Sequence, residues 1–257
     1  MLIHGDCRAV LPTLEPASFD ACITDPPYGD TSLTWDRQVT GWIKGVSHAL
    51  KPNACIWVFG SMRSLVGVFA EMEAAGFKYA QDIVWEKQNG SGFHNDRFRR
   101  VHEHVVQFYR GRWRELFRAP QMTNDARAKT VRRKKRPAHT GNIEAMAYTS
   151  VDGGPRLQRS VIRVANMHGR AIHPTEKPVE LLVPLVRYSV PPGGRVIDPF
   201  AGSASTLVAC DMAGVTGVGI ERKAEYYVRA NERLERGWPL LSVGPTPASK
   251  TEGGSEV

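Results

Sequence analysis

From Phe19 to Glu235 this chain alternates short apolar runs of strand length with longer stretches of helical period, and a single basic stretch interrupts the alternation. That alternation favours a parallel sheet covered by helices on both faces. The strand-like segments are Phe19–Thr24, Ala54–Phe59, Tyr79–Trp85, Val101–Tyr109, Arg195–Ile197 and Val215–Ile220. Helices are expected from Met62 to Ala75, closed by Gly76, and at Val179–Tyr188, Ser205–Ala213 and Ala224–Glu235. Turns are expected at Lys51-Pro52-Asn53 and Asn89-Gly90-Ser91-Gly92. Pro184 should kink or restart its helix. The fold class that follows is α/β, a doubly wound, mostly parallel sheet with one inserted basic region. The residues from Gly244 to Val257, rich in Gly, Pro, Ser and Thr, read as a disordered tail.

Charge locates the insertion. Between Arg110 and Arg136 eleven Lys or Arg face two acids, a net of +9 against +8 for all 257 residues, so the rest of the chain carries −1. Its peak is Arg132-Arg133-Lys134-Lys135-Arg136. A concentrated basic stretch on a near-neutral body points to a polyanion partner; a solvated loop has the same composition. No apolar stretch is long enough to span a bilayer, and the N-terminus lacks the basic start and apolar block of a secretory signal. Cys7, Cys22, Cys55 and Cys210 are scattered, without a C-x-x-C pair, and read as small buried thiols in a reducing cytoplasm.

Three segments carry chemistry. Asp25-Pro26-Pro27-Tyr28 follows the strand Phe19–Thr24, where an open α/β sheet builds its ligand crevice. These residues suit the activation of an exocyclic ring amine, whose lone pair is delocalised into its heterocycle. Asp25 and the Pro26 carbonyl, held stiffly by consecutive prolines, can each accept an amine N–H. Tyr28 offers a face for an extruded base, a stacking worth roughly 1–3 kcal/mol. An ordinary Pro-rich turn would fit the tetrapeptide alone equally well. The second segment is the strand, tight turn and helix of Val196–Thr206, with Asp198, Phe200, Ala201, Gly202, Ser203 and Ser205 in the turn. It lets backbone approach a ligand and points helix amides at an anionic group. About twenty residues on, Glu221 ends the next strand, at the position of a ribose-binding acid. The third is His173-Pro174-Thr175-Glu176-Lys177-Pro178 ahead of an apolar helix, where His173, Thr175 and Lys177 offer groups to a carboxylate.

Read together, these segments resemble the S-adenosylmethionine-dependent DNA amino-methyltransferases of the β group, in the family's order and spacing. The resemblance implies a Rossmann-like methyltransferase fold with a catalytic half at 1–111, a target-recognition insertion at 112–160, a cofactor-binding half at 161–241 and a tail at 242–257. It implies that Asp198 to Ser205 cradle the methionine end of S-adenosylmethionine and that Glu221 binds its ribose. Lys177, with Thr175 or His173, lies near its carboxylate, and Gly5-Asp6-Cys7 resembles the segment that contacts its adenine. Asp25, Pro26, Pro27 and Tyr28 are the catalytic residues by the same resemblance, with Asp25 also beside the cofactor. His102-Glu103-His104 and the following Val105–Tyr109 resemble the strand that closes the catalytic half. The partner implied is double-stranded DNA, docked on Arg132, Arg133, Lys134, Lys135 and Arg136; no membrane is involved, and a homodimer is compatible with the family. D-P-P-Y favours adenine N6, with cytosine N4 the near alternative.

The chain departs from the family in two places. Ala204 stands where the family's turn has glycine, which adds strain if its φ is positive and leaves open a cofactor-binding DNA-recognition protein with little catalysis. Gly29 stands where Asn often follows the tyrosine, ahead of the loop through Trp35-Asp36. An RNA or protein methyltransferase is disfavoured by Asp25, because the related motif there usually begins with Asn.

Overall fold

The computed structural model describes residues 1–29, 33–34, 36–91, 95–136, 139, 144–167 and 171–237. Gly92, Trp35 and the tail expected from 242 lie outside the described residues. In chain order the elements are β1 Leu2–His4, α1 Cys7–Val10, β2 Phe19–Thr24, α2 Trp42–Ala49, β3 Leu50–Gly60, α3 Met62–Ala74, β4 Lys78–Ser91 and β5 Arg100–Tyr109. They continue as β6 Met122–Thr123, β7 Lys129–Arg133, β8 Met146–Ser150, β9 Arg156–Leu157, β10 Val161–Arg163, α4 Val179–Ser189, β11 Arg195–Asp198, α5 Ser205–Met212, β12 Thr216–Glu221 and α6 Ala224–Glu235.

Eight strands form one sheet in the order β1-β12-β11-β2-β3-β5-β4-β10. Only β5 runs against its neighbours β3 and β4; the other pairings in this sheet are parallel. Strands buried on both faces need apolar side chains at successive positions, and β2 meets that demand with four consecutive buried residues, Ala21 to Thr24. The period of two then sorts them between two cores. Cys22, Ile56, Val58, Val106 and Ile197 join Trp42, Val46 and Leu65 of α2 and α3 on one face. Ala21, Ile23, Trp57, Val105 and Val196 join Leu182, Val186 and Val208 of α4 and α5 on the other. From β2 the chain steps to β3 on one side; from β11 it steps to β12 on the other. The crevice of such a sheet opens where these directions part, at the carboxyl ends of β2 and β11.

Three expected breaks are corrected. Lys51-Pro52-Asn53 belongs to β3, because a register shift between the Phe19–Leu50 and Ala21–Cys55 pairs absorbs those residues as a bulge, a place where a strand tolerates proline. Asn89-Gly90-Ser91 likewise lies within β4, where the register shifts between Glu86 and Ser91. Helix α4 runs from Val179 through Pro184 to Ser189 without a restart. Losing the bond from position 184 to the Glu180 carbonyl is outweighed by burying Leu181, Leu182, Leu185 and Val186. The basic insertion, where neither period holds, contains a 3-10 turn at Trp113–Glu115 and two small antiparallel ribbons, β6 with β9 and β7 with β8. The four cysteines are buried and unbridged. Among the described residues no helix is long and apolar enough to cross a membrane.

Candidate active site

The ends of β2, β11 and β12 frame a cavity of about 290 Å³. Its wall includes Asp25 and Pro27 from the first loop and Asp198, Phe200, Ala201, Gly202, Ser203 and Ser205 from the second. Glu221, His173, Thr175 and Lys177 complete it, with Asp6 and Cys7 from the start of α1. Segments more than two hundred residues apart in sequence thus meet on one wall. Pro26 is buried and Tyr28 partly buried, and neither is on that wall.

The second loop is built on short polar bonds. Thr24 Oγ1 donates to Asp198 Oδ1 at 2.8 Å, and the Phe200 amide donates to the same oxygen at 3.1 Å. Burial pushes the Asp198 carboxyl up to about 6, against the hydrogen bonds from Thr206 and Thr24. Glu221 takes the Gly202 amide at 3.0 Å and the Lys223 amide at 2.7 Å, one on each carboxylate oxygen. Burial also raises the Glu221 carboxyl. Gly202 has φ of +51°, and Ala204 has φ of +61° with ψ of 25°. The methyl of Ala204 therefore sits in the left-handed region that glycine favours, completely buried beside Leu207 and Ala230. On the third segment, the Thr175 amide donates to His173 Nδ1 at 3.3 Å. The His173 ring meets Tyr226 edge-on at 4.2 Å between centroids, and burial lowers the imidazole to about 4. A helix cap fixes Asp6, which accepts the Arg8 amide at 2.9 Å and pairs with its guanidinium; those bonds hold the carboxyl at about 2. Burial raises the Cys7 thiol to about 11, leaving it a neutral wall group.

Around Asp25 the geometry is ionic. Its Oδ1 accepts from the Tyr28 hydroxyl and its Oδ2 from the Lys177 ammonium. Lys177, a residue of the cavity wall, is thereby held on Asp25. Burial raises the Asp25 carboxyl; Lys177 opposes that rise.

A family model described as DNA methylase, covering N6 and N4 enzymes, matches residues 19–232. The chain belongs to this family. The methylase is 26% identical to a type II methyltransferase, M2.DpnII of Streptococcus pneumoniae, over 264 residues, spanning 91% of this chain and 89% of that protein. Among solved structures it superposes on the M1.HpyAVI–SAM complex with a TM-score of 0.64 at 23% identity, covering 91% of this chain and 98% of that one. It also superposes on the cytosine-N4-specific PvuII DNA methyltransferase with a TM-score of 0.63 at 16% identity, over 90% and 84% of the two chains. The doubly wound methyltransferase fold expected from the sequence is therefore the fold of the methylase.

Several wall residues of the methylase escaped the sequence reading. Lys223 and Tyr226 line the cavity just beyond Glu221, and the start of a helix after a strand-end acid is the signal that could have found them. Arg37 and Thr40 reach the wall from an irregular loop whose composition carries no such signal. Glu176, passed over between Thr175 and Lys177, pairs with Arg233 of α6 at 3.0 Å and accepts the Ile172 amide at 2.9 Å. Arg233 in turn donates to the Ser203 carbonyl at 2.9 Å, tying the third segment to the second loop. In the basic run, Arg132 lies on the exposed strand β7 and Lys134, Lys135 and Arg136 are exposed beyond it. Lys135 lies 3.4 Å from Glu144. Arg133 pairs through its backbone with Met146.

Proposed function

We propose that this DNA methylase transfers a methyl group from S-adenosylmethionine to the N6 amine of adenine in duplex DNA. The observation that carries the reading is Asp25 on the wall of a cavity that also exposes Asp198 and Glu221 at the ends of the adjacent strands. The donor set fits the cofactor. Asp198 and Glu221 offer carboxylates to hydroxyl and ammonium groups, Lys223 offers a cation to a carboxylate, and Gly202 leaves the turn bare of a side chain. When bound, S-adenosylmethionine supplies an electrophilic methyl group on a sulfonium.

The chain's own residues supply alignment. The target base leaves the stack, because its amine is unreachable within a duplex. Asp25 accepts one amine N–H and the Pro26 carbonyl a second, which turns the nitrogen lone pair outward. A carboxylate has about four lone-pair sites; Tyr28 and Lys177 take two, so capacity remains for the amine. The hydrogen bond from its hydroxyl fixes Tyr28 for stacking on the ring. Holding two reactants in line is itself a large share of catalysis. Residues 112–160 serve DNA recognition in this reading, with phosphate contacts from the exposed basic run.

Adenine rests on the aspartate that opens the D-P-P-Y motif. Purified protein, labelled cofactor and unmethylated plasmid, followed by digestion and mass spectrometry, test the choice. N6-methyladenine supports it, N4-methylcytosine replaces it, and absence of label leaves a DNA-recognition protein. Asp25→Ala should abolish transfer while cofactor binding stays measurable; retained turnover would refute the role of Asp25.

A further inference from the structure

Asp25 does not hold Lys177 alone. Glu103, on β5, presents Oε2 at 3.4 Å from the Lys177 ammonium, and this buried oxygen finds no hydrogen-bond partner among the described residues. Its other oxygen accepts from Lys87 on β4. The side chains of Lys177, Glu103 and Asp25 are only 8%, 14% and 18% exposed, so their charges act on one another with little screening by water. The remaining groups that bear on Asp25 are the Tyr28 hydroxyl on its own loop and Asp198 on β11. Arg100, on β5, acts on Tyr28, and Lys87 acts through Glu103.

A buried carboxylate meant to accept from an amine faces two failures. Without a nearby cation it takes up a proton and becomes a weaker acceptor with an O–H that competes for the site. With a cation committed wholly to it, the ion pair competes with the amine for its lone pairs. We propose that Lys177 and Glu103 are opposed positioning residues acting on Asp25: Lys177 keeps the carboxylate ionised, and Glu103 draws the ammonium back so that Asp25 retains acceptor capacity for the target amine. The proposal rests on Asp25 as amine acceptor. Lys87 completes the arrangement by balancing the second carboxylate, and together Lys177 and Lys87 hold Glu103 at about 2 against its burial.

The two neighbours must therefore move Asp25 in opposite directions. Lys177→Met leaves burial and Glu103 repulsion unopposed, and the Asp25 titration should rise by about one to three pH units. Glu103→Gln removes a repelling charge and releases Lys177 fully to Asp25, so the titration should fall. The double variant should lie between the singles. Carbon-13 NMR of labelled carboxyl groups in the protein alone reads this, with the Asp25 resonance assigned by its loss in Asp25→Asn. Both single variants shifting the same way, or neither shifting, overturns the proposal. If Lys177→Met does not fold, Glu103→Gln still decides: a fall supports it, and a rise or no change overturns it. The acidic limb of kcat/KM for methyl transfer should follow the same order in the active variants, and an unmoved limb also overturns it. Because the NMR titration needs no turnover, a wild-type protein that fails to methylate DNA refutes the functional reading and leaves the charge relationship to be judged separately.

Discussion

The Thr24 hydroxyl donates to Oδ1 of Asp198 at 2.8 Å, a side-chain bond between the ends of adjacent central strands whose positions lie 174 residues apart. Burial nevertheless dominates Asp198 and lifts it from 3.8 to about 6. A carboxyl raised on folding contributes most stability when protonated, so its contribution is present below about 4 and lost as pH rises through 6, a cost on the order of 3 kcal/mol at neutral pH. His173 works the other way. Lowered from 6.5 to about 4, it stabilises above 6.5 and loses that contribution as pH falls through 4. Between pH 4 and 6 the contributions of these two groups to the wild-type melting temperature therefore oppose each other. Asp198→Asn should melt higher than wild type at pH 7 and fall on acidification, while His173→Gln should gain on acidification. Identical pH slopes in all three proteins would contradict both assignments.

Arg233 and Glu176 are buried together, with side chains 11% and 2% exposed. Removing one partner strands the other charge, at a cost of about 3–5 kcal/mol. Arg233→Met should lower the denaturant midpoint accordingly, and adding Glu176→Gln should recover part of the loss. A double variant as unstable as the two singles combined would show that the pair is not coupled.

Gly219 lies in β12 with no room for a side chain. An added Cβ would meet Ala201 Cβ at 2.8 Å and Leu207 Cδ1 at 2.8 Å. Gly219→Ala should cost about 1–3 kcal/mol by overpacking and weaken cofactor binding through the displaced Ala201. Calorimetry and cofactor titration check both effects, and a variant as stable as wild type would rule out the tight contact.

Replacing Arg132, Lys134, Lys135 and Arg136 by Ser should lower the salt dependence of DNA binding. Each phosphate contact contributes about 0.9 to the slope of log K against log salt. Lys135 is already drawn to Glu144, so a drop of about 2.7 is expected in place of about 3.6. An unchanged slope in fluorescence anisotropy would remove this run from the interface.

The core of the fold was legible because burial on two faces leaves a strong mark. Phe19–Thr24 and Val215–Ile220 read as strands, and the structure places them within one residue. The wall of the cavity was legible for a related reason: acids and small residues at strand ends stand out against the apolar runs before them. What sequence hid was pairing. Nothing near Lys51-Pro52-Asn53 announces that a bulge will carry them inside β3, since that depends on the register chosen by β2. Lys177 pointed to an anion, but the sequence could not tell a cofactor carboxylate from Asp25 and Glu103, which arrive from two other strands. Glu176 was overlooked because its partner Arg233 lies 57 residues away on a helix that showed only its period.

Strand β1 lies on β12, the Met1 amine reaches the Gly217 carbonyl at 2.9 Å, and α6 packs across both strands. The first strand and the last described helix are therefore neighbours, while β6 to β9, between β5 and β10 in the chain, form two small ribbons. A chain rejoined at those ends and opened within residues 112–160 would present the two halves in reverse order. Asp25 and Asp198 would still end adjacent strands. The order in which this sheet is written is separable from the chemistry performed at its centre.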